Sequence, residues 1–161
     1  MFRSITTDQS GFTLVEALVV TGILVILFAV GAVNLGQPQT NARSISAVDT
    51  LVNDLKSQQI AAMAGATGST AAQQAAGIFV QSNQYTLFNG ASFSAGNSYN
   101  YMFTPAIGVA FGTTFPGGII LFTKGAGELS GFTAGNNTIT VTAGGVSKVI
   151  TISRFGAVTV T

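Results

Sequence analysis

Residues 11–35 read GFTLVEALVVTGILVILFAVGAVNL, an apolar run that carries a single charge, Glu16, five residues past Gly11. A carboxylate at membrane depth costs roughly 2.5–3.5 kcal/mol on insertion scales, so such a residue marks a functional position by default. Beyond Glu16 the next charge is Arg43, and the intervening residues 17–42 are all uncharged. A soluble core helix does not carry so long a neutral stretch. As a helix, 12–35 would span about 36 Å at about 1.5 Å per residue, enough for a hydrocarbon layer of about 30 Å. The expectation is a membrane anchor at the N-terminus.

The rest of the composition narrows the function more by exclusion than by signal. Charged residues are 7% of the 161, and the formal net charge is +1. A typical soluble domain has about 25% charged residues. No basic patch is large enough for a dedicated nucleic-acid binder. There is no cysteine, which removes disulfides and thiol chemistry, and no histidine or tryptophan. Without His or Cys, neither a Ser-His-Asp arrangement nor an ordinary zinc site can be built. The glycine-rich stretches at 117–118, 125–127 and 144–145 lack the Gly-Lys pairing of a phosphate loop and read as turns. Lys56 beside Ser57 could be drawn as a base and nucleophile, but the simpler reading is an exposed helical lysine. Past the leader and Glu16 the acids are Asp49, Asp54 and Glu128. The two aspartates are five apart on a helix and so diverge, which reads as solvation. No carboxylate cluster suits calcium. No catalytic residue, metal or cofactor is expected, and the chain reads as a non-enzyme.

A conventional secretory signal peptide is the plain alternative for the N-terminus, with Arg3 in its basic region and small residues at 29–32 for cleavage. Its apolar region would be far longer than the usual 7–15 residues, and Glu16 would have no use there. An uncleaved signal-anchor fits the length but also leaves Glu16 unexplained. The hexapeptide Gly11-Phe12-Thr13-Leu14-Val15-Glu16 resembles the class III signal (GFTLxE) of type IV pilins and of the pseudopilins of type II secretion systems. The resemblance implies that a prepilin peptidase removes residues 1–11 after Gly11 and that the new terminus, Phe12, is N-methylated. It also implies that Glu16 sets the register between subunits by pairing with the amine of a neighbour. Cleavage would place an ammonium four residues from Glu16, about one helical turn away, and an ammonium facing a carboxylate neutralises it. Pairing within one chain remains the other possibility. Two departures from the family pattern stand out. Ser10 precedes the glycine where basic residues are usual, with only Arg3 positive and Asp8 offsetting it. Val33, between Gly31 and Gly36, occupies a position where many relatives have a kinking proline. The weak positive-inside signal still favours a cytoplasmic leader.

After the anchor, Pro38 is expected to kink or interrupt the helix. Ile45, Val48, Leu51, Val52, Leu55, Ala62 and Met63 then recur at spacings of three and four, an amphipathic helix over 37–64 whose apolar stripe suits packing against a sheet. Residues 65–77 are small and polar and read as a flexible connection. Over 78–161 the texture is short strands: 78–81, 84–88, 99–103, 108–111, 118–123, 138–142, 146–153 and 157–160. Thr138–Thr142 alternates at period two, and Gly144-Gly145 suits a tight hairpin turn. Twelve phenylalanines suit a packed core first and partner contacts second.

The expected fold is therefore α+β and pilin-like: a long N-terminal helix, transmembrane over 12–36 and amphipathic over 37–64, packed on a mostly antiparallel β domain. The layout is similar to the GspH/FimT branch, as are Gly77-Ile78-Phe79 with Tyr85-Thr86-Leu87-Phe88, and Ile150-Thr151-Ile152 followed by Gly156. This resemblance implies a minor pseudopilin of a type II secretion system, single-pass in the inner membrane with its C-terminal domain in the periplasm or outside the cell. Its implied partners are other pseudopilins or pilins, an inner-membrane assembly platform, the prepilin peptidase and membrane lipid. The alternatives are a minor type IV pilin of the FimT kind, active in pilus initiation, adhesion or DNA uptake, and a tethered binding domain that never polymerises. DNA capture is disfavoured because Arg43, Lys56, Lys124, Lys148 and Arg154 are scattered, only the last two being close in sequence.

Overall fold

A computed structural model describes residues 11–34, 36–65 and 74–161. The expected leader therefore lies, except for Gly11, outside the described residues, as does most of the expected connection over 65–77. The chain falls into two units, residues 1–37 and 38–161.

The first unit holds helix α1, Leu14–Asn34. The second is built, among the described residues, from most of helix α2, Gly36–Ala64, and eight strands. α1 is described from Leu14 to Asn34 and α2 from Gly36 to Ala64, with Pro38 among the residues of α2.

The strands are β1 Ala76–Val80, β2 Tyr85–Asn89, β3 Tyr101–Phe103, β4 Val109–Thr113, β5 Ile119–Phe122, β6 Thr138–Ala143, β7 Val146–Ile152 and β8 Val158–Val160. They form two antiparallel sheets, β3-β2-β1-β5 and β4-β6-β7-β8. The hairpins follow local chemistry. Gly144 and Gly145 have φ of 54° and 84°, the paired positive values of a two-residue turn whose twist matches its strands, and Ala143 faces Val146 across it. Gly77 serves packing instead: a Cβ there would strike the Ile120 carbonyl of β5 and the Phe88 ring. The exchange of β4 and β5 between sheets is not local. β4 leaves β3 to pair with β6, while β5 returns to the far side of β1.

One core joins α2 to both sheets. It includes Leu51, Leu55 and Ala62 of α2, Ile78, Tyr85, Ile120 and Phe122 of the first sheet, and Ile139, Val141, Ile150 and Ile152 of the second. The buried stripe on α2 runs Ser44, Val48, Leu51, Leu55, Gln58 and Ala62, with Ala47 beside it. Ile45 and Met63, expected in that stripe, are more than half exposed. Each lies one residue, about 100° of helix, off the stripe.

Phenylalanines divide between two clusters. Phe111 and Phe122 belong to the main core. Phe93, from the loop after β2, stacks on Phe79 at 4.4 Å between centroids and meets Phe88 edge-on at 5.6 Å, closing the other face of the first sheet. Phe12, Phe28 and Phe155 are exposed.

Candidate functional site

The segment singled out by its sequence, Gly11 to Glu16, forms the entry to α1. Gly11 and Phe12 precede the helix and are exposed, Phe12 at 83%. Thr13 is the cap: its Oγ1 accepts the Glu16 backbone N–H at 3.3 Å, and its carbonyl accepts the Ala17 N–H at 3.1 Å. A Thr-x-x-Glu sequence at a helix start is the capping-box pattern, in which threonine satisfies a free N–H and glutamate sits in the first turn, where the helix dipole favours an anion. That pattern was available in the sequence as Thr13-Leu14-Val15-Glu16 and gives Glu16 a local role beside any intermolecular one.

Along α1 the window Leu14–Gly31 is long and apolar enough to cross a membrane, and none of it is buried within the protein. The one hydroxyl in its middle, Thr21 Oγ1, donates to the Ala17 carbonyl at 2.7 Å and so presents no free donor to lipid. Glu16 is the single charged side chain of the helix.

Among the described residues, a Cβ built at Gly11 meets no atom within 4 Å, and the φ of Gly11 is not in the left-handed region.

Among the described residues, the polar side chains of the second unit do not converge on a further chemical site. Asp49 is exposed, as the solvation reading expects, but Asp54 is not merely solvated. Its Oδ2 accepts the Tyr85 hydroxyl at 2.5 Å. Tyr85 is fully buried, packed against Phe103 and Phe111. Burial first, and then the Asp54 carboxylate, push its phenol well above the ordinary tyrosine value. The contact ties α2 to β2.

Near the other end of α2, Gln59 Nε2 donates to the Gly127 and Phe155 carbonyls at 3.0 and 2.9 Å. The Gly125 N–H donates to the Ala62 carbonyl at 2.9 Å, satisfying one of the last acceptors of α2.

Lys56 and Ser57 are exposed neighbours with no buried surroundings to activate either. Lys148 and Arg154, close in sequence, are separated by most of β7: Lys148 is its third residue and Arg154 lies two past its end, about 20 Å apart at about 3.3 Å per residue. Among the described residues no group of three His, Cys, Asp or Glu side chains could hold a metal ion.

Residues 6–32 match the family model described as the prokaryotic N-terminal methylation motif. The match supports an N-terminus of the type IV pilin and pseudopilin kind. The match brackets Gly11, Phe12, Thr13 and Glu16 together with most of α1, and it supports processing by a prepilin peptidase and assembly with other pilins. Pilin-type proteins are structural rather than an enzyme class, and one apolar N-terminal helix under this motif is consistent with single-pass membrane anchoring. The chain matches no curated protein and no solved structure.

Proposed function

We propose that the chain is a minor pseudopilin of a type II secretion system, a subunit that joins a short periplasmic fibre through α1. The observation that carries the pilin-type part of this reading is Glu16, the one charge on a helix with no buried residue in its apolar window, four residues after Phe12. In the proposed cycle the leader 1–11 is cut after Gly11 and Phe12 becomes the methylated terminus. Its ammonium, on its own chain or a neighbour, then offsets the Glu16 carboxylate. Desolvating a lone carboxylate is costly, whereas the neutralised pair is tolerable in lipid, so correct axial register is the arrangement in which the charges meet.

The secretion-system assignment draws on two features of the globular unit. Its surface is poor in charge, which suits close packing in a fibre, and its cations are scattered along the sequence, which disfavours the DNA-uptake pilin. The separation of Lys148 from Arg154 along β7 strengthens that second point.

Two variants test the reading. Gly11→Ala should leave the leader attached. Glu16→Ala should insert in the membrane yet fail to enter fibres isolated from cells expressing the secretion apparatus. Normal fibre incorporation of the Glu16→Ala protein would remove the register role, whereas a wild-type chain that enters no fibre would favour a tethered domain.

A further inference from the structure

One end of the globular unit combines exposed apolar tips with two cations, Arg43 and Lys148. It is made by the first turns of α2 after residue 40, the loop after β3, and the β6–β7 turn. Ile107, at the tip of its loop, is 92% exposed, and Ile45 and Val146 are also exposed. Arg43 Nη1 donates to the Ile107 carbonyl at 3.4 Å, so this guanidinium sits beside the most exposed apolar side chain of the unit. On the other side of the same helical turn, Lys148 and Val146 share a hollow of about 250 Å³ with Asn41, Ser44 and Ile45. The Ser44 hydroxyl, buried at its edge, has no hydrogen-bond partner.

The acids lie elsewhere. Asp54 is engaged by Tyr85. Glu128 belongs to the loop that contacts Gln59 and Ala62, about 24 Å along α2 from Arg43. Asp49 is six residues, about 9 Å, further along α2.

We propose that this end is a lipid-contact surface, on which Arg43 and Lys148 meet the phosphates of an anionic leaflet while Ile107, Ile45 and Val146 reach the headgroup boundary. Two arguments select lipid. The first is charge: Arg43 and Lys148 complement an anionic surface, neither engaged, among the described residues, by an acidic side chain of the globular unit, and apolar tips beside them are the composition of an interfacial contact. The second is chain length. Asn41 is six residues past Leu35, the end of the apolar run, and six residues extend no more than about 20 Å, so this end is tethered within reach of a leaflet. The surface would hold the unassembled subunit against the membrane. It rests on the membrane-anchored reading of Leu14–Gly31 and not on fibre assembly.

The chain has no cysteine, so single-cysteine labels report one position each. The full chain is reconstituted at low protein-to-lipid ratio in phosphatidylcholine vesicles with or without phosphatidylglycerol, containing a spin-labelled quencher either at the headgroup or in the acyl region. Fluorophores are placed by Ile107→Cys, by Val20→Cys within α1, and by Ala134→Cys in the loop before β6, at the opposite end of that strand from Gly144. The label at 107 should be quenched in phosphatidylglycerol vesicles and released by high salt, with 134 unquenched throughout. Each cation should contribute about a fivefold gain in the bound-to-free ratio, so Lys148→Gln, which touches no hydrogen bond of the fold, should lower it about fivefold and Arg43→Gln similarly.

Quenching at 20, reported by a quencher in the acyl region, with none at 107 overturns this inference alone. No quenching at 20 overturns the membrane reading and the inference with it. A response at 107 that follows protein concentration and ignores lipid charge would assign the surface to a second copy and likewise overturn it.

Discussion

α1 and α2 are successive helices of one chain with opposite relations to their surroundings. α1 is apolar on every side, and its window Leu14–Gly31 buries nothing within the protein. α2 has a single apolar stripe, from Val48 through Leu51 and Leu55 to Ala62, and that stripe is taken up by two sheets. The first helix is complete only in lipid or among copies of itself, whereas the second is complete within its own unit. The difference separates two kinds of mutational effect. Changes in α1 should read out in assembly and leave folding alone, and changes on the α2 stripe should do the reverse.

The largest effect expected is on assembly. Glu16→Ala should abolish fibre incorporation while the denaturant midpoint of the globular unit, followed by tyrosine fluorescence in detergent, stays that of the wild type. A shifted midpoint would break the separation between the two helices.

Next in size, Leu55→Ala should destabilise the globular unit by about 2–5 kcal/mol, since it empties a fully buried site between α2 and the sheets. The same variant, at a temperature where it remains folded, should still insert in membranes.

A smaller effect belongs to Tyr85→Phe. It removes the hydroxyl that meets Asp54 and should cost about 1–2 kcal/mol near neutral pH. The pH dependence has a definite sign. The folded phenol is held protonated above the ordinary tyrosine range, so above about pH 10 the unfolded chain gives up a proton that the folded one keeps. Wild-type stability should therefore fall as pH rises past that value, and the phenylalanine variant should fall less steeply. Equal slopes would mean that Tyr85 ionises in place.

The smallest effect sharpens the comparison from within α2. Ile60 is exposed on the side away from the stripe, and Ile60→Ser should change stability by no more than about 0.5 kcal/mol by thermal denaturation. A loss as large as that at Leu55 would show that the outer face of α2 is covered after all.

Much of this architecture was legible because it is set by local chemistry. The period-two run Thr138–Thr142 and the Gly144-Gly145 turn mark a hairpin wherever they occur, and β6 and β7 fall there. The apolar run is equally local, since length and the absence of charge are sufficient to mark it. What the sequence concealed depends on distant partners. The division into two sheets follows from β4 and β5 changing places, which no turn residue announces.

Asp54 looked like a solvated acid because its partner, Tyr85, is 31 positions away. The available signal was its place between Leu51 and Leu55, beside the buried stripe, together with the need of a buried tyrosine for an acceptor. Ser44 and Gln58 were passed over because an apolar template skips polar residues, even though both complete the stripe. At the candidate site the residues are plain in sequence, and the Thr-x-x-Glu spacing encodes the capping of α1 by Thr13.

The central claim is that a carboxylate is tolerated in the apolar helix because processing exposes an amine to offset it. Intact-mass spectrometry of the protein purified from its native membrane tests this most directly. The account predicts a chain that begins at Phe12 and carries one added methyl group at its terminus. A chain that keeps its first eleven residues, or begins anywhere else, would contradict it.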